Sequence, residues 1–275
     1  MADILTLVFR TFMKPSEKPQ DFRLIDIAPS KCSALVVGDH SINRSLLLLA
    51  AVTAASELGI KVSFFTHFPI ESLPGPLQHS MSNLGQDNLR KIKFAYPRSL
   101  EDLLQDVASL HEAVSGSATA PTSLIIVDGL ECYLRMPGLS SGLQQAQLSS
   151  AAHVSALLFD TAAFLTQTLE ERAASLAPCR VLASFQPVGE GHARDPSAQD
   201  PVISVLDRYF QVRCTLDRRW QPSPAAAGPQ DMWHVCLCGV GITGAFLAED
   251  EENPGRPQEW TLVIGADGSM EFTPV

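Results

Sequence analysis

The stretch Ala34-Leu35-Val36-Val37-Gly38-Asp39-His40-Ser41-Ile42-Asn43-Arg44-Ser45 sets an apolar run against a polar turn and the start of a helix. The four apolar residues read as a buried strand, and a helix follows from Leu46 to about Glu57. Gly38 to Ser45 lie where the phosphate-binding template G-x-x-x-x-G-K-[ST] belongs, between strand and helix. The first Gly and the last Ser match, but Asn43 stands for the second Gly and Arg44 for the Lys. Asn tolerates positive φ less freely than Gly. Arg keeps the positive charge of Lys but presents a planar fork instead of a compact ammonium. Phosphate binding can survive such changes in weakened form, whereas hydrolysis is the more exposed to loss.

The same alternation of elements continues along the chain. Gly59 stops the Leu- and Ala-rich helix, which is apolar enough to be buried on most sides, and Val62 to Phe65 is the next strand. A Pro-, Ser- and Gly-rich loop runs from Pro69 to about Asp87, Ile92 to Phe94 is a short strand, and Ser99-Leu-Glu-Asp102 opens a capped helix to about Glu112. Leu124 to Val127 is the clearest buried strand, and an amphipathic helix covers Gln144 to about Arg172. Val181 to Phe185 is a strand ending on Gln186. Beyond residue 201 strands dominate: Gln211 to Leu216, Met232 to Cys238, and a hairpin over Trp260 to Phe272 turning at Asp267-Gly268. Unbroken apolar strands separated by helices imply a mainly parallel sheet covered on both faces, with an antiparallel extension at its end.

At 275 residues, 45% hydrophobic and 18% charged, the composition is that of one globular core. The expected division is an N-terminal arm over residues 1 to 30 and a single domain over 31 to 275. The arm's Ile4, Leu5, Leu7, Val8 and Phe9 suit packing on a neighbouring subunit or on the chain's own core. No secretory leader pattern and no long apolar span is read, so an intracellular setting without membrane contact is expected. The six cysteines are scattered, as for reduced thiols; only Cys236-Leu-Cys238 form a close pair that could share a metal, with His234 on the same alternation. A net charge of −10, partly from Glu249 to Glu252, argues against a generic DNA-coating surface.

In such a sheet ligands bind at the carboxyl ends of the strands. Asp128, after four apolar residues, has the form of a Walker B carboxylate that holds Mg²⁺, with Ser45 as the second metal-facing oxygen. Gly38, Asn43, Arg44, Ser45, Asp128 and Gln186 are therefore the nucleotide-facing candidates. His67 stands where some ATPases carry a catalytic carboxylate and is a poor substitute for one. Arg135, His192 and Arg194, in the loops after Asp128 and Gln186, are candidates for contact with a nucleic-acid backbone.

The order of these elements resembles the ATPase core of RecA-type recombinases and their paralogues. Four stretches, Leu89 to Pro97, Leu124 to Leu134, Leu157 to Ala163 and Leu206 to Phe210, resemble one divergent group more closely. That group is the RecA-like subunit that partners a SWIM-type zinc-finger protein in the animal Shu complex. The resemblance runs from about residue 33 to the C-terminus. It implies an α/β fold, a RecA-like P-loop NTPase core. It also implies a nuclear homologous-recombination and DNA-repair role, a heterodimer with the SWIM protein, support of recombinase filaments, and single-stranded DNA binding. The SWIM zinc belongs to the partner. ATP and Mg²⁺ are the implied cofactors, with turnover put in doubt by Asn43 and Arg44. The alternative is an active DNA-stimulated ATPase in which Arg44 does the work of the lysine.

Overall fold

The computed structural model describes residues 4–13, 32–80, 86–115, 121–135, 143–173, 177–187, 200–219, 231–239 and 257–275. Nine strands run in chain order as β1 (Ala34–Val37), β2 (Val62–Thr66), β3 (Ile92–Ala95), β4 (Leu124–Asp128), β5 (Arg180–Phe185), β6 (Val212–Arg219), β7 (Asp231–Gly239), β8 (Gln258–Ile264) and β9 (Met270–Pro274). They form one sheet in the order β3-β2-β4-β5-β1-β6-β7-β8-β9. From β3 to β6 neighbours are parallel, and from β6 to β9 they are antiparallel. Every residue of β1, β2, β4 and β5 is buried, as unbroken apolar runs require when both faces are covered.

Alternate strand residues feed two apolar layers. Ala34, Val36, Phe64, Ile126 and Leu182 face one layer with α1 (Ile4–Thr11) and α2 (His40–Glu57). Leu35, Val37, Ile125, Val127 and Ala183 face the other, built from α5 (Leu100–Ser115), α6 (Leu130–Leu134), α7 (Leu143–Ala173) and α8 (Pro201–Leu206). Two short helices break the stretch expected as loop: α3 (Gly75–Ser80) lies within it and α4 (Gln86–Leu89) overlaps its end. The start of α5 is a reciprocal capping box: the Asp102 N–H donates to Ser99 Oγ at 3.1 Å, and the Ser99 N–H to Asp102 Oδ2 at 3.1 Å.

Of the two seats expected for the apolar N-terminal residues, a neighbouring subunit or the chain's own core, the structure has the second. Residues 4–13 pack on the chain's own core, with Leu5, Val8 and Phe9 fully buried and Phe9 stacked on Phe272 at 4.7 Å between ring centroids. Their apolar face is thus turned inward. By packing on α2 it explains why Leu46 to Ala55 are all buried, one side on the sheet and the other under α1. The sequence holds no unbroken apolar run of membrane length, yet Gln144–Arg172 of α7 are long and apolar enough to cross a membrane by length and composition. That helix buries Ala151, Val154, Leu158, Ala162 and Leu165 against the second layer.

Candidate functional site

The carboxyl ends of β1, β2, β4 and β5 gather the polar residues of interest, and pairing sets their spacing. In the parallel register of β2 with β4, Thr66 lies beside Asp128. Asp128 is 1% exposed, and it is satisfied from three sides. Arg44 Nε donates to its Oδ2 at 2.7 Å, the Thr66 hydroxyl donates to the same oxygen at 2.8 Å, and the Ser184 hydroxyl reaches Oδ1 at 3.5 Å. A second Arg44 nitrogen donates to Thr66 Oγ1 at 3.2 Å, and the guanidinium lies 5.9 Å from the centroid of the half-exposed Phe68 ring.

Arg44 reaches Asp128 because α2 begins at His40, earlier than the Leu46 start expected from the phosphate-loop template. The cause is local. Asp39 is an extended N-cap whose carboxylate accepts the Ser41 N–H at 2.9 Å, and the Asn43 N–H bonds the Asp39 carbonyl at 2.9 Å. Burial pushes the Asp39 carboxyl up, but its bonds from Ser41 and Ile42 outweigh that and hold it below its ordinary value. Asn43 is itself buried, donating its side-chain amide to the Gly38 carbonyl at 2.9 Å. Gly38 permits a close approach, since a Cβ there would meet Leu216 Cβ at 2.8 Å.

A magnesium nucleotide at this place needs a run of outward-facing backbone N–H groups, a hydroxyl for the metal, and a carboxylate open to it. The residues present do not fit that need in this arrangement. The chain from His40 to Ser45 is helical, the Asn43 N–H is spent within the helix, Ser45 Oγ donates to the Ser41 carbonyl at 2.9 Å, and Asp128 is ion-paired.

The other candidates scatter more widely. The Gln186 N–H donates to Glu131 Oε2 at 2.9 Å, and its carbonyl accepts from Arg135, which is exposed. His67 lies edge-on to Phe68 and Tyr133, away from the ion pair's bonds. His192 and Arg194 lie outside the described residues. Cys236, Cys238 and His234 share the half-exposed face of β7, where His234 contacts Glu259 at 3.2 Å and the Cys238 thiol reaches the Arg213 carbonyl at 3.6 Å.

Sequence reasoning passed over a second cluster. Gly129, with φ of 75°, turns the chain into α6 and brings Glu131 under the start of α2, where His40 Nδ1 lies 3.1 Å from Glu131 Oε1. That bond, reinforced by Asp128 and opposed by burial, raises the His40 pKa, while burial pushes the Cys132 thiol up to about 11. The available signal was an acid, Glu131, inside the otherwise apolar stretch Leu130 to Leu134; His40 counted only as an unconstrained template position.

No family model matches the chain. In sequence it is 32% identical over 241 residues to the protein named ATPase SWSAP1 of Mus musculus, covering 87% of this chain and 72% of that protein. It is 30% identical over 230 residues to ATPase SWSAP1 of Homo sapiens, covering 84% and 83%. In structure it is similar to a KaiC-like protein of Pyrococcus horikoshii OT3, with a TM-score of 0.53 and 11% identity over 90% of this chain and 91% of that one. At that identity the likeness bears on the fold alone, which is the RecA type: a mostly parallel sheet between helices, extended by antiparallel strands.

Proposed function

The chain belongs to the family of the ATPase SWSAP1 proteins, and from that premise we propose that it is a homologous-recombination accessory subunit acting chiefly as a scaffold. It pairs with and stabilises a SWIM-type zinc-finger protein in the nucleus, supports recombinase filaments and binds single-stranded DNA, with weak or absent ATP turnover. The observation that carries the weak-turnover reading is the 2.7 Å Arg44–Asp128 pair. Where a working site would set a lysine on phosphate and a carboxylate toward Mg²⁺, the cation and the carboxylate here neutralise each other. The family resemblance supports the partner and the pathway. The acidic balance of the chain favours DNA binding through a local patch, with Arg135 as its described member and His192 and Arg194 from the segment after Gln186 as further candidates, or through the partner.

The test is equilibrium binding of ATP and ADP with Mg²⁺ to the full chain, alone and with the SWIM-domain partner, alongside phosphate release with single-stranded DNA. The expected result is stable pairing with the partner and negligible phosphate release in every setting. DNA-stimulated turnover that Arg44→Ala abolishes would overturn it and establish the alternative, an enzyme in which Arg44 replaces the lysine.

A further inference from the structure

The polar cluster beside the Arg44–Asp128 pair has a composition that the scaffold role does not use. His40 opens α2, while Glu131 and Cys132 lie in α6, and one donor atom from each residue lies within 4.8 Å of the other two. Among the described residues this is the only group of three His, Cys, Asp or Glu side chains so placed. We propose that His40, Glu131 and Cys132 bind a single zinc ion at the carboxyl end of β4.

Three features carry the assignment. The first is the donor set: one imidazole nitrogen, one thiolate and one carboxylate suit zinc, whereas magnesium and calcium take oxygen ligands. Zinc–ligand bonds of about 2.0–2.3 Å place tetrahedral donors roughly 3.3–3.8 Å apart, so the group needs only a small closure. The His40 and Glu131 donors already stand 3.1 Å apart.

The second is convergence. A Cβ at Gly129 would lie 3.1 Å from His40 Cε1, 3.3 Å from Cys132 Sγ and 3.3 Å from Glu131 Oε1, so all three side chains close on one point that a side chain at 129 would crowd. The third is burial. Glu131 is 4% exposed, and a carboxylate kept from water gains from a cation beside it.

Binding expels the Cys132 proton, so thiolate and Glu131 carboxylate together balance the dipositive ion. Three protein ligands leave the fourth position for water or an incoming group. The ion ties the start of α2, which leaves β1, to α6, which leaves β4. Those are the same two exits that Arg44 and Asp128 join.

The full chain, stripped with chelator and titrated with Co²⁺, should take up one equivalent. It should then show a near-ultraviolet sulfur-to-cobalt charge-transfer band and the intense visible bands of a four-coordinate ion, both lost on adding Zn²⁺. Cys132→Ser should remove the charge-transfer band. His40→Gln should weaken zinc binding by about tenfold or more, the scale on which even outer-shell groups matter. Cys236→Ser and Cys238→Ser should leave the band in place. No band at one equivalent, or a band that survives Cys132→Ser, overturns the site. Should Cys132→Ser fail to fold, alkylation of the unmutated chain decides: Zn²⁺ must protect Cys132 and leave Cys236 reactive, and equal reactivity of Cys132 with and without zinc refutes the proposal.

Discussion

Two regions on opposite sides of β1 solve burial in different ways. Toward β9, α1 closes an apolar seam in which Phe9 lies 5.4 Å from Trp260 and 4.7 Å from Phe272 between ring centroids. Toward β4, the chain buries a carboxylate and holds it with Arg44, Thr66 and Ser184. The apolar seam stabilises through area removed from water and close packing. The polar cluster gains far less net stability, because desolvating two charges cancels most of their attraction. A fold does not need a buried ion pair at a strand end, so its presence points to what that end of the sheet does.

The largest expected effect falls on the seam. Trp260→Ala removes a side chain that is 1% exposed and packs on Phe9, the middle ring of the three, and should cost about 3–5 kcal/mol in urea unfolding. A loss under about 1 kcal/mol would mean that α1 does not close this side of the core, and the contrast would fail.

The polar region is broken by its single variants and sharpened by the double. Arg44→Met leaves a fully buried Asp128 without its cation and should cost about 3 kcal/mol; Asp128→Leu should cost somewhat less, because Arg44 is 22% exposed and can turn to water. The double variant should recover most of the loss, since apolar replacement of a buried pair is often neutral or stabilising. Failure to recover would show that the pair organises more of the site than its own two side chains. Thr66→Val sits lower in the order, at about 1–2 kcal/mol, because it deletes only the hydroxyl between Arg44 and Asp128.

The same contrast governs what was legible in the sequence. All nine strands announced themselves through apolar runs or alternation, and their order along the chain led to the parallel sheet with its antiparallel extension. The α1 seam was half legible: Ile4 to Phe9 were plainly apolar, but whether they covered this core or another depended on contacts with β8 and β9 some 250 residues away. The start of α2 was misplaced because the phosphate-loop template drew attention away from Asp39, a sound N-cap. The Thr66–Asp128 adjacency follows from the register of two strands 62 residues apart, which no local pattern encodes.

The smallest effect concerns His40 and distinguishes a titrating contact from a purely steric one. Its bond to Glu131 raises the folded pKa above the ordinary histidine value of about 6.5. The folded state therefore binds the His40 proton more tightly than the unfolded chain does. The resulting stability is fully present below about pH 6.5 and is lost as pH rises through the folded pKa. Because His40 is partly exposed, the swing should stay under about 1 kcal/mol. Urea midpoints measured in chelator from about pH 5.5 to 8 should fall across that window in the natural chain. Glu131→Gln, which keeps a hydrogen-bonding side chain but removes the charge, should flatten the fall. An unchanged slope in that variant would place the titration elsewhere and leave the His40–Glu131 contact as packing alone.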